Sequence, residues 1–246
     1  MTSVRLDRAL VERGLARSRG QAQELIRAGR VTLGGRTALK ASELVADADR
    51  VEAQTDPYVS RGAHKLAGAL DDLGFVPTGR ALDAGSSTGG FTQVLLERGV
   101  EQVHAVDVGT DQLAATLRAD PRVHVHEQTS VRDLTLEHVG GRPVDLVVAD
   151  LSFISLTKFL DRFDAVTTVD GTWLLMVKPQ FEVGRAALGG DGVVRDPVLH
   201  RRAIDGVAAA AAVLGWHVQA EVASRLPGPA GNQEFFVRLC RVSQGG

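Results

Sequence analysis

The 246-residue chain is 44% hydrophobic and 24% charged with a net charge of −2, which excludes a disordered chain and predicts a substantial core. Its single cysteine, Cys240, excludes an internal disulfide and suits a reducing compartment. The longest apolar run, residues 207–214, is too short to span a bilayer, and MTSVRLDRAL lacks the apolar core of a signal peptide, so a soluble cytoplasmic protein with no membrane partner is expected.

The first 40 residues read as two short helices and a hairpin. Leu6, Ala9 and Leu10 share a helical face that Gly14 can end in a left-handed conformation. Ser18 is placed to N-cap a second helix, with Gln21 in the capping-box position. Ala22, Leu25 and Ile26 form that helix's apolar face, and Gly29 ends it. Val31 and Leu33 alternate before a Gly34-Gly35 turn, the pattern of a β-hairpin. This segment holds nine Lys/Arg and three Asp/Glu, against 19 and 27 in the rest of the chain. Its Arg5, Arg8, Arg17, Arg19, Arg27 and Arg30 largely avoid the apolar positions and could face a phosphate backbone. A merely solvated helix face is the plain alternative. RLDRALVERGLARSRGQAQELIRAGRV resembles the S4-type RNA-binding module over about the first 50 residues. That resemblance implies a small α+β domain that binds structured RNA mainly through backbone and shape. The expected domains are an S4-type domain at 1–52, a linker at 53–59 and a catalytic body at 60–246.

SRGAHKL opens the body. Apolar residues at 63, 66, 67, 70 and 73 make a helical stripe that Gly74 ends, and Arg61 at its start could touch RNA. Strand-like segments then alternate with helix-like ones. Ala81-Leu82, Val103–Val106, Val123–Val125, Val144–Ala149 and Leu174–Val177 read as strands, with Trp216–Val222 and Phe235–Leu239 completing seven. A helix is expected around Thr92–Arg98, another from an Asp111 cap through Ala119, and a third over Pro197–Leu214. The alternation predicts an α/β fold: a mostly parallel seven-stranded sheet with helices on both faces. Such sheets bind ligands beyond the carboxyl ends of their strands, where Asp83, Asp107, Asp150 and Lys178 fall.

LDAGSSTGGF joins a strand, a glycine turn and a helix start. It lacks the Gly-Lys-Ser/Thr of a phosphate loop, and Gly85, Gly89 and Gly90 do not supply the dinucleotide G-x-G-x-x-G spacing. An acidic residue before the first glycine suits a cationic ligand better than a pyrophosphate. The loop resembles that of class I (Rossmann-like) methyltransferases, which implies S-adenosylmethionine as cofactor. The expected cofactor-binding residues are Asp83, Gly85, Ser86, Ser87, Thr88, Gly89, Gly90, Phe91, Asp107, Ser130 and Asp150. Asp107, 18 residues beyond Gly89, is placed for the ribose hydroxyls, and Ser130 for the adenine. A purely structural glycine turn remains the alternative. No metal site is expected.

VVADLSFIS ends the fourth strand at Asp150 without the Asn/Asp-Pro-Pro-aromatic motif of amino-methylating enzymes, and Cys240 lies too late to serve a 5-methylcytosine nucleophile. LLMVKPQFEVG places Lys178 at the end of the fifth strand, and GNQEFF puts Glu234 at the start of the last. Together SRGAHKL, LDAGSSTGGFT, DLVVADLSFISL, VKPQFEVG and LPGPAGNQEFF resemble the TlyA (haemolysin A) family across nearly the whole chain: an S4 module joined to an FtsJ-like 2′-O-ribose methyltransferase. By this resemblance Lys65, Asp150, Lys178 and Glu234 carry over as a catalytic tetrad. A ribose hydroxyl must lose its proton while aligned with the sulfonium methyl, and Lys178 is the candidate base. Lys65 would favour its neutral form, while the two carboxylates would oppose that. Residues 182–196, rich in glycine, could form a lid from which Arg185 or Arg195 touches RNA, or an ordinary loop.

The leading expectation is an S-adenosylmethionine-dependent rRNA 2′-O-methyltransferase, with rRNA as partner and no obligate protein partner; the resemblance implies cytidine in 23S rRNA as the target and, in some family members, cytidine in 16S rRNA too. A non-catalytic ribosome-binding or assembly factor on the same fold is the alternative. A membrane-damaging protein, which the haemolysin label suggests, has no spanning or strongly basic amphipathic segment behind it.

Overall fold

The computed structural model describes residues 3–16, 18–54, 56–184 and 187–241, in two compact units that divide between Pro57 and Tyr58. The smaller unit is built on α1 (Leu6–Glu12) and α2 (Arg19–Arg27). Leu6, Ala9 and Leu10 of α1 pack with Ala22, Leu25 and Ile26 of α2, as their spacing predicts. Gly14 and Gly29 take the left-handed conformation just past each helix, and the Ser18 hydroxyl accepts from the Gln21 amide. β2 (Val31–Leu33) and β3 (Arg36–Thr37) form the hairpin, with positive φ at both Gly34 and Gly35. Three short strands had no periodicity to announce them. β1 (Val4–Arg5) pairs with β4 (Leu44–Val45), and β5 (Val51–Ala53) pairs with β2. β5 therefore runs one residue into the segment read as linker, whose last residues Tyr58 and Val59 pack on the larger unit.

The larger unit is a seven-stranded sheet between two apolar layers. Its strands are β6 (Arg80–Ala84), β7 (Gln102–Val106), β8 (Val123–His126), β9 (Val144–Ala149), β10 (Thr167–Val177), β11 (Trp216–Ala223) and β12 (Phe235–Arg241). The order is β11-β12-β10-β9-β6-β7-β8. Every pairing is parallel except those of β12, which runs against both β10 and β11. One layer packs α3 (Arg61–Asp72) and α4 (Gly90–Glu97) on the sheet; the other packs α6 (Leu160–Val166) and α8 (Pro197–Val213) around Trp173 and Trp216, whose rings stack 3.9 Å apart. The central strands β6 and β9 are buried on both faces for most of their length, so they read as largely apolar runs, interrupted by Asp83 and by the exposed Asp145.

The helix expected from Asp111 is shorter and starts later: α5 spans Ala115–Arg118 with Ala114 at its cap. Asp111 instead holds positive φ, and its amide donates to the Glu127 carboxylate, as do those of Gln112 and Leu113. Glu127 has thus taken the donors that a helix start would have offered.

Candidate active site

Strand order reverses at β6, whose neighbours are β7 on one side and β9 on the other, so a crevice opens beyond their carboxyl ends. The residue after β6 is Gly85. A side chain there would put its Cβ 2.6 Å from the Asp150 carbonyl oxygen, so only glycine lets the loop cross the end of β9. The Gly85 and Ser86 amides donate to the Val106 carbonyl at 2.8 and 3.2 Å, fastening the loop to the end of β7. Asp107 then accepts from the Ser87 amide at 2.9 Å and the Gly109 amide at 2.7 Å.

A cavity of 440 Å³ occupies this crevice. Of the expected cofactor residues, Gly85, Ser87, Asp107, Ser130 and Asp150 line it. Asp83, Ser86, Thr88, Gly89, Gly90 and Phe91 do not, and their places have other physical reasons. A Cβ on Gly89 would collide with Leu117 and Leu113; one on Gly90 would lie 2.2 Å from the Ser60 hydroxyl and 2.9 Å from the Ala63 amide nitrogen. These glycines let helices approach. The Phe91 ring is buried beside Phe236, 5.9 Å between centroids, so its side chain belongs to the core.

Asp83 is fully buried. One oxygen accepts from the Thr92 hydroxyl at 2.7 Å and the other has no partner. Burial pushes its carboxyl up to about 7, against the opposing Thr92 hydrogen bond and with added repulsion from Asp150 and Asp107. Thr92, one helical turn inside α4, had no distinguishing sequence signal beyond its hydroxyl.

The Lys-Asp-Lys-Glu set arrives as two ion pairs. Lys65, in the second turn of α3, meets Glu234 with Nζ–Oε2 at 2.6 Å, both side chains nearly inaccessible. Lys178 meets Asp150 with Nζ–Oδ1 at 2.6 Å, a charge contact without hydrogen-bond alignment. Its hydrogen bond goes to the Ser152 hydroxyl at 2.8 Å. Ser152 lines the cavity and was passed over in the sequence, although it stands inside DLSFIS. Strand geometry explains the meeting. Leu175 of β10 lies opposite Ala149 of β9, and Val177 lies opposite Phe235 at the start of the reversed β12. Asp150, Lys178 and Glu234 therefore leave neighbouring strands at one sheet edge, where strands stand about 5 Å apart. Gly228 closes over Glu234, with room for no Cβ: one would fall 2.6 Å from Oε1.

The glycine-rich segment expected as a lid is tied down at its far end. Asn232 accepts from the Val194 amide at 2.8 Å and donates to the Gly192 carbonyl at 3.1 Å. Arg195 pairs with Asp191 at 2.6 Å; Arg185 lies outside the described residues.

The arginines of the small unit divide. Arg5 and Arg19 point at Asp7, a fully buried carboxylate that also accepts from Gln23. The Arg5 hydrogen bond holds Asp7 well below the usual carboxylate range despite burial. Arg8 pairs with Glu12 one turn on. These three were read as facing a phosphate backbone; Asp7 and Glu12 of α1 take part of their hydrogen-bonding capacity. Arg27 and Arg30 are exposed and enter none of the ion pairs found among the described residues. Arg17 lies outside the described residues. Arg61 belongs to the larger unit and donates to the Pro227 carbonyl at 3.4 Å.

A seven-stranded sheet of this order, with a ligand-sized cavity at the reversal and a charged edge beside it, defines a Rossmann-like methyltransferase domain. It is preceded by a small α+β domain. Residues 58–241 match the FtsJ-like methyltransferase family, and residues 4–51 match the S4 domain. The chain is 53% identical to the 16S/23S rRNA (cytidine-2′-O)-methyltransferase TlyA of Mycobacterium tuberculosis, covering 96% of this chain and 89% of that one. It is 34% identical to Hemolysin A of Brachyspira hyodysenteriae, over 96% and 99% of the two chains. A solved structure from Streptococcus thermophilus, described as a hemolysin, superposes with a TM-score of 0.76 at 35% identity, over 99% of this chain and 90% of that one. The chain belongs to the TlyA family, an S4 domain joined to an FtsJ-like methyltransferase. No described helix is long and apolar enough to cross a membrane.

Proposed function

We propose that this protein methylates the ribose 2′-hydroxyl of cytidine in ribosomal RNA, using S-adenosylmethionine, in the compartment where ribosomes are made. The observation that carries the reading is Lys178: a buried amine held by Asp150 and Ser152 at the rim of a cavity of cofactor size. The residues present fit that cofactor. The cavity wall offers two carboxylates, Asp107 and Asp150, against one cation, Arg132, a balance that favours a positively charged ligand. Asp107 would hold the ribose, Gly85 and Ser87 the neighbouring backbone, and Ser130 the base end. When bound, the cofactor supplies an electrophilic sulfonium methyl, and the electrons of the broken carbon–sulfur bond remain on sulfur.

The chain's own residues do the rest. Lys178, in its neutral form, takes the hydroxyl proton as the oxygen closes on the methyl, and becomes an ammonium facing Asp150. Asp150 balances the charge gained there. Lys65, neutralised by Glu234, borders the same sheet edge and orients the ribose without adding net charge. Most of the rate comes from holding these groups in line. The S4 unit captures structured RNA through Arg27 and Arg30, and the target nucleotide leaves its helix to reach the edge. The DLSFIS and VKPQFEVG segments, both placed at strand ends, support the catalytic assignment of Asp150 and Lys178.

Mapping of 2′-O-methyl groups on rRNA from cells with and without the protein tests the reading. One or more cytidines should lose the mark without it and regain it with the wild-type chain but not with Lys178→Ala. An unchanged map together with absent S-adenosylmethionine binding would favour the non-catalytic ribosome-binding alternative.

A further inference from the structure

Lys178 has two oxygen neighbours of different kinds. The Asp150 contact is short, yet it lacks hydrogen-bond alignment, so it fixes charge and distance more than direction. The Ser152 contact is a hydrogen bond of 2.8 Å, and hydrogen bonds are directional. A neutral primary amine has two N–H bonds and one lone pair. Where that lone pair points depends on which acceptors take the N–H bonds. Asp150 alone leaves the rotation about Cε–Nζ open; an aligned second acceptor removes it.

The loop that carries Ser152 is built to hold its place. At its start, the Asp150 amide donates to the Ala84 carbonyl at 3.0 Å. Directly after Ser152, Phe153 adopts φ +67°, a left-handed conformation unusual for an aromatic residue. At its end, the Ser155 hydroxyl and the Leu156 amide donate to the two oxygens of Glu182, at 2.5 and 2.9 Å. Glu182 sits on α7 (Pro179–Glu182), the turn that follows Lys178 directly. The base and its acceptor are thus braced by one element: α7 begins at the lysine and grips the serine's loop. Glu182 is largely buried, and burial raises its carboxyl against the pull of these two hydrogen bonds.

We propose that Ser152 is a positioning residue for the methyl transfer: its hydroxyl takes one N–H of Lys178 and so directs the nitrogen lone pair to the ribose hydroxyl. This rests on the reading of Lys178 as the base. The proton passes from the 2′-hydroxyl to Nζ, converting NH₂ to NH₃⁺, and Ser152 keeps its own proton throughout. The Ser152 hydroxyl hydrogen stays available to the substrate, because the serine oxygen serves Lys178 as an acceptor.

The test uses the full chain with unmethylated ribosomal subunits. Ser152→Ala should lower single-turnover kcat by about 10- to 100-fold, the scale of a small misplacement at the reacting atoms. KM for the subunit and the calorimetric Kd for S-adenosylmethionine should stay within about twofold. Ser152→Thr keeps the acceptor and should restore most of the rate, while Ser152→Cys, a weak acceptor of similar volume, should behave as alanine does. Wild-type kcat for Ser152→Ala beside an inactive Lys178→Ala would overturn the Ser152 inference and leave the base in place. A Kd that rises as much as kcat falls would also overturn it, making Ser152 a cofactor contact. Full activity in Lys178→Ala would instead sink the base reading itself.

Discussion

Breaking the Lys65–Glu234 pair is expected to separate stability from catalysis. Both side chains are almost wholly removed from water, at 8% and 1% exposure, and their charged atoms lie 2.6 Å apart. Replacing one partner strands the other charge in a medium that solvates it poorly. Single removals of this kind cost about 3–5 kcal/mol, whereas replacing both partners by apolar groups of similar volume is neutral or mildly stabilising. Methionine matches the length and lack of branching of both side chains. Lys65→Met should therefore cost about 3–5 kcal/mol, or a fall in Tm of about 6–20 °C for a domain of this size. The double variant Lys65→Met/Glu234→Met should recover most of that loss. If the pair also serves the reaction, the recovered double variant remains inactive. Thermal unfolding of the single and double variants, with a methylation assay on each, gives the answer. A double variant no more stable than Lys65→Met would refute the ionic account. A double variant as active as wild type would reduce the pair to a structural tie.

Three further outcomes follow from particular contacts. Asp83 is held near pH 7 against an ordinary 3.8, so the folded state binds its proton more tightly than the unfolded state does. That contribution is complete below about pH 4 and is lost as pH rises through 7, worth about 4 kcal/mol for a shift of about three units. The Tm advantage of Asp83→Asn over wild type should accordingly grow between pH 4 and 8 in thermal scans; a constant difference would contradict the burial argument. The opposite contribution of His104, held down near 3 by burial and its histidine neighbours, cancels in that difference. Gly90→Ala drives a Cβ to 2.9 Å from the Ala63 backbone nitrogen, forcing α3 away from α4 at a cost of about 1–3 kcal/mol. Its methylation rate should drop with its Tm because Lys65 rides on α3, and an unchanged rate would mean that α3 tolerates displacement. Arg27→Gln/Arg30→Gln should weaken rRNA binding and flatten the log-affinity against log-salt slope by about 1–2 without lowering cofactor affinity. Filter binding across a salt series measures it, and an unaltered slope would remove both arginines from the RNA face.

Legibility in the sequence followed the range of the interaction. Helices with an apolar stripe and a glycine stop, such as α1 to α3, are local patterns. Strands buried on both faces appear as apolar runs such as LVVA at 146–149. The polar residues Asp107, Asp150 and Lys178 stand out because each follows an apolar run and ends a strand; Asp83, also expected at a strand end, lies inside β6, which continues to Ala84. Asp7 was not legible as a hub, because Arg5 reaches it from β1 and Arg19 and Gln23 reach it from α2. Asp111 looked like a cap because its residue type favours one. Glu127, 16 positions on, decided otherwise by taking the amide. Ser152 was invisible for a related reason: a serine in a loop is ordinary until a lysine 26 residues away donates to it.

Strand direction is the step that turns the list of four residues into pairs. In a wholly parallel sheet each strand offers its last residue to the ligand edge, so Asp150 and Lys178 are presented on leaving β9 and β10. β12 runs the other way and offers the residue just before its start, which is Glu234. Because β12 is inserted between β10 and β11, that carboxylate emerges beside Lys178's strand and not at the rim of the sheet. Glu234 nevertheless pairs with Lys65 from α3, 169 positions earlier, and leaves Lys178 to Asp150 and Ser152. The division has a chemical consequence. On the proposed mechanism, the Lys65 pair engages Glu234, and Lys178 meets one carboxylate, Asp150, and one neutral acceptor, Ser152. On that reading SRGAHKL contributes a second lysine that takes up the carboxylate emerging beside the strand of the first.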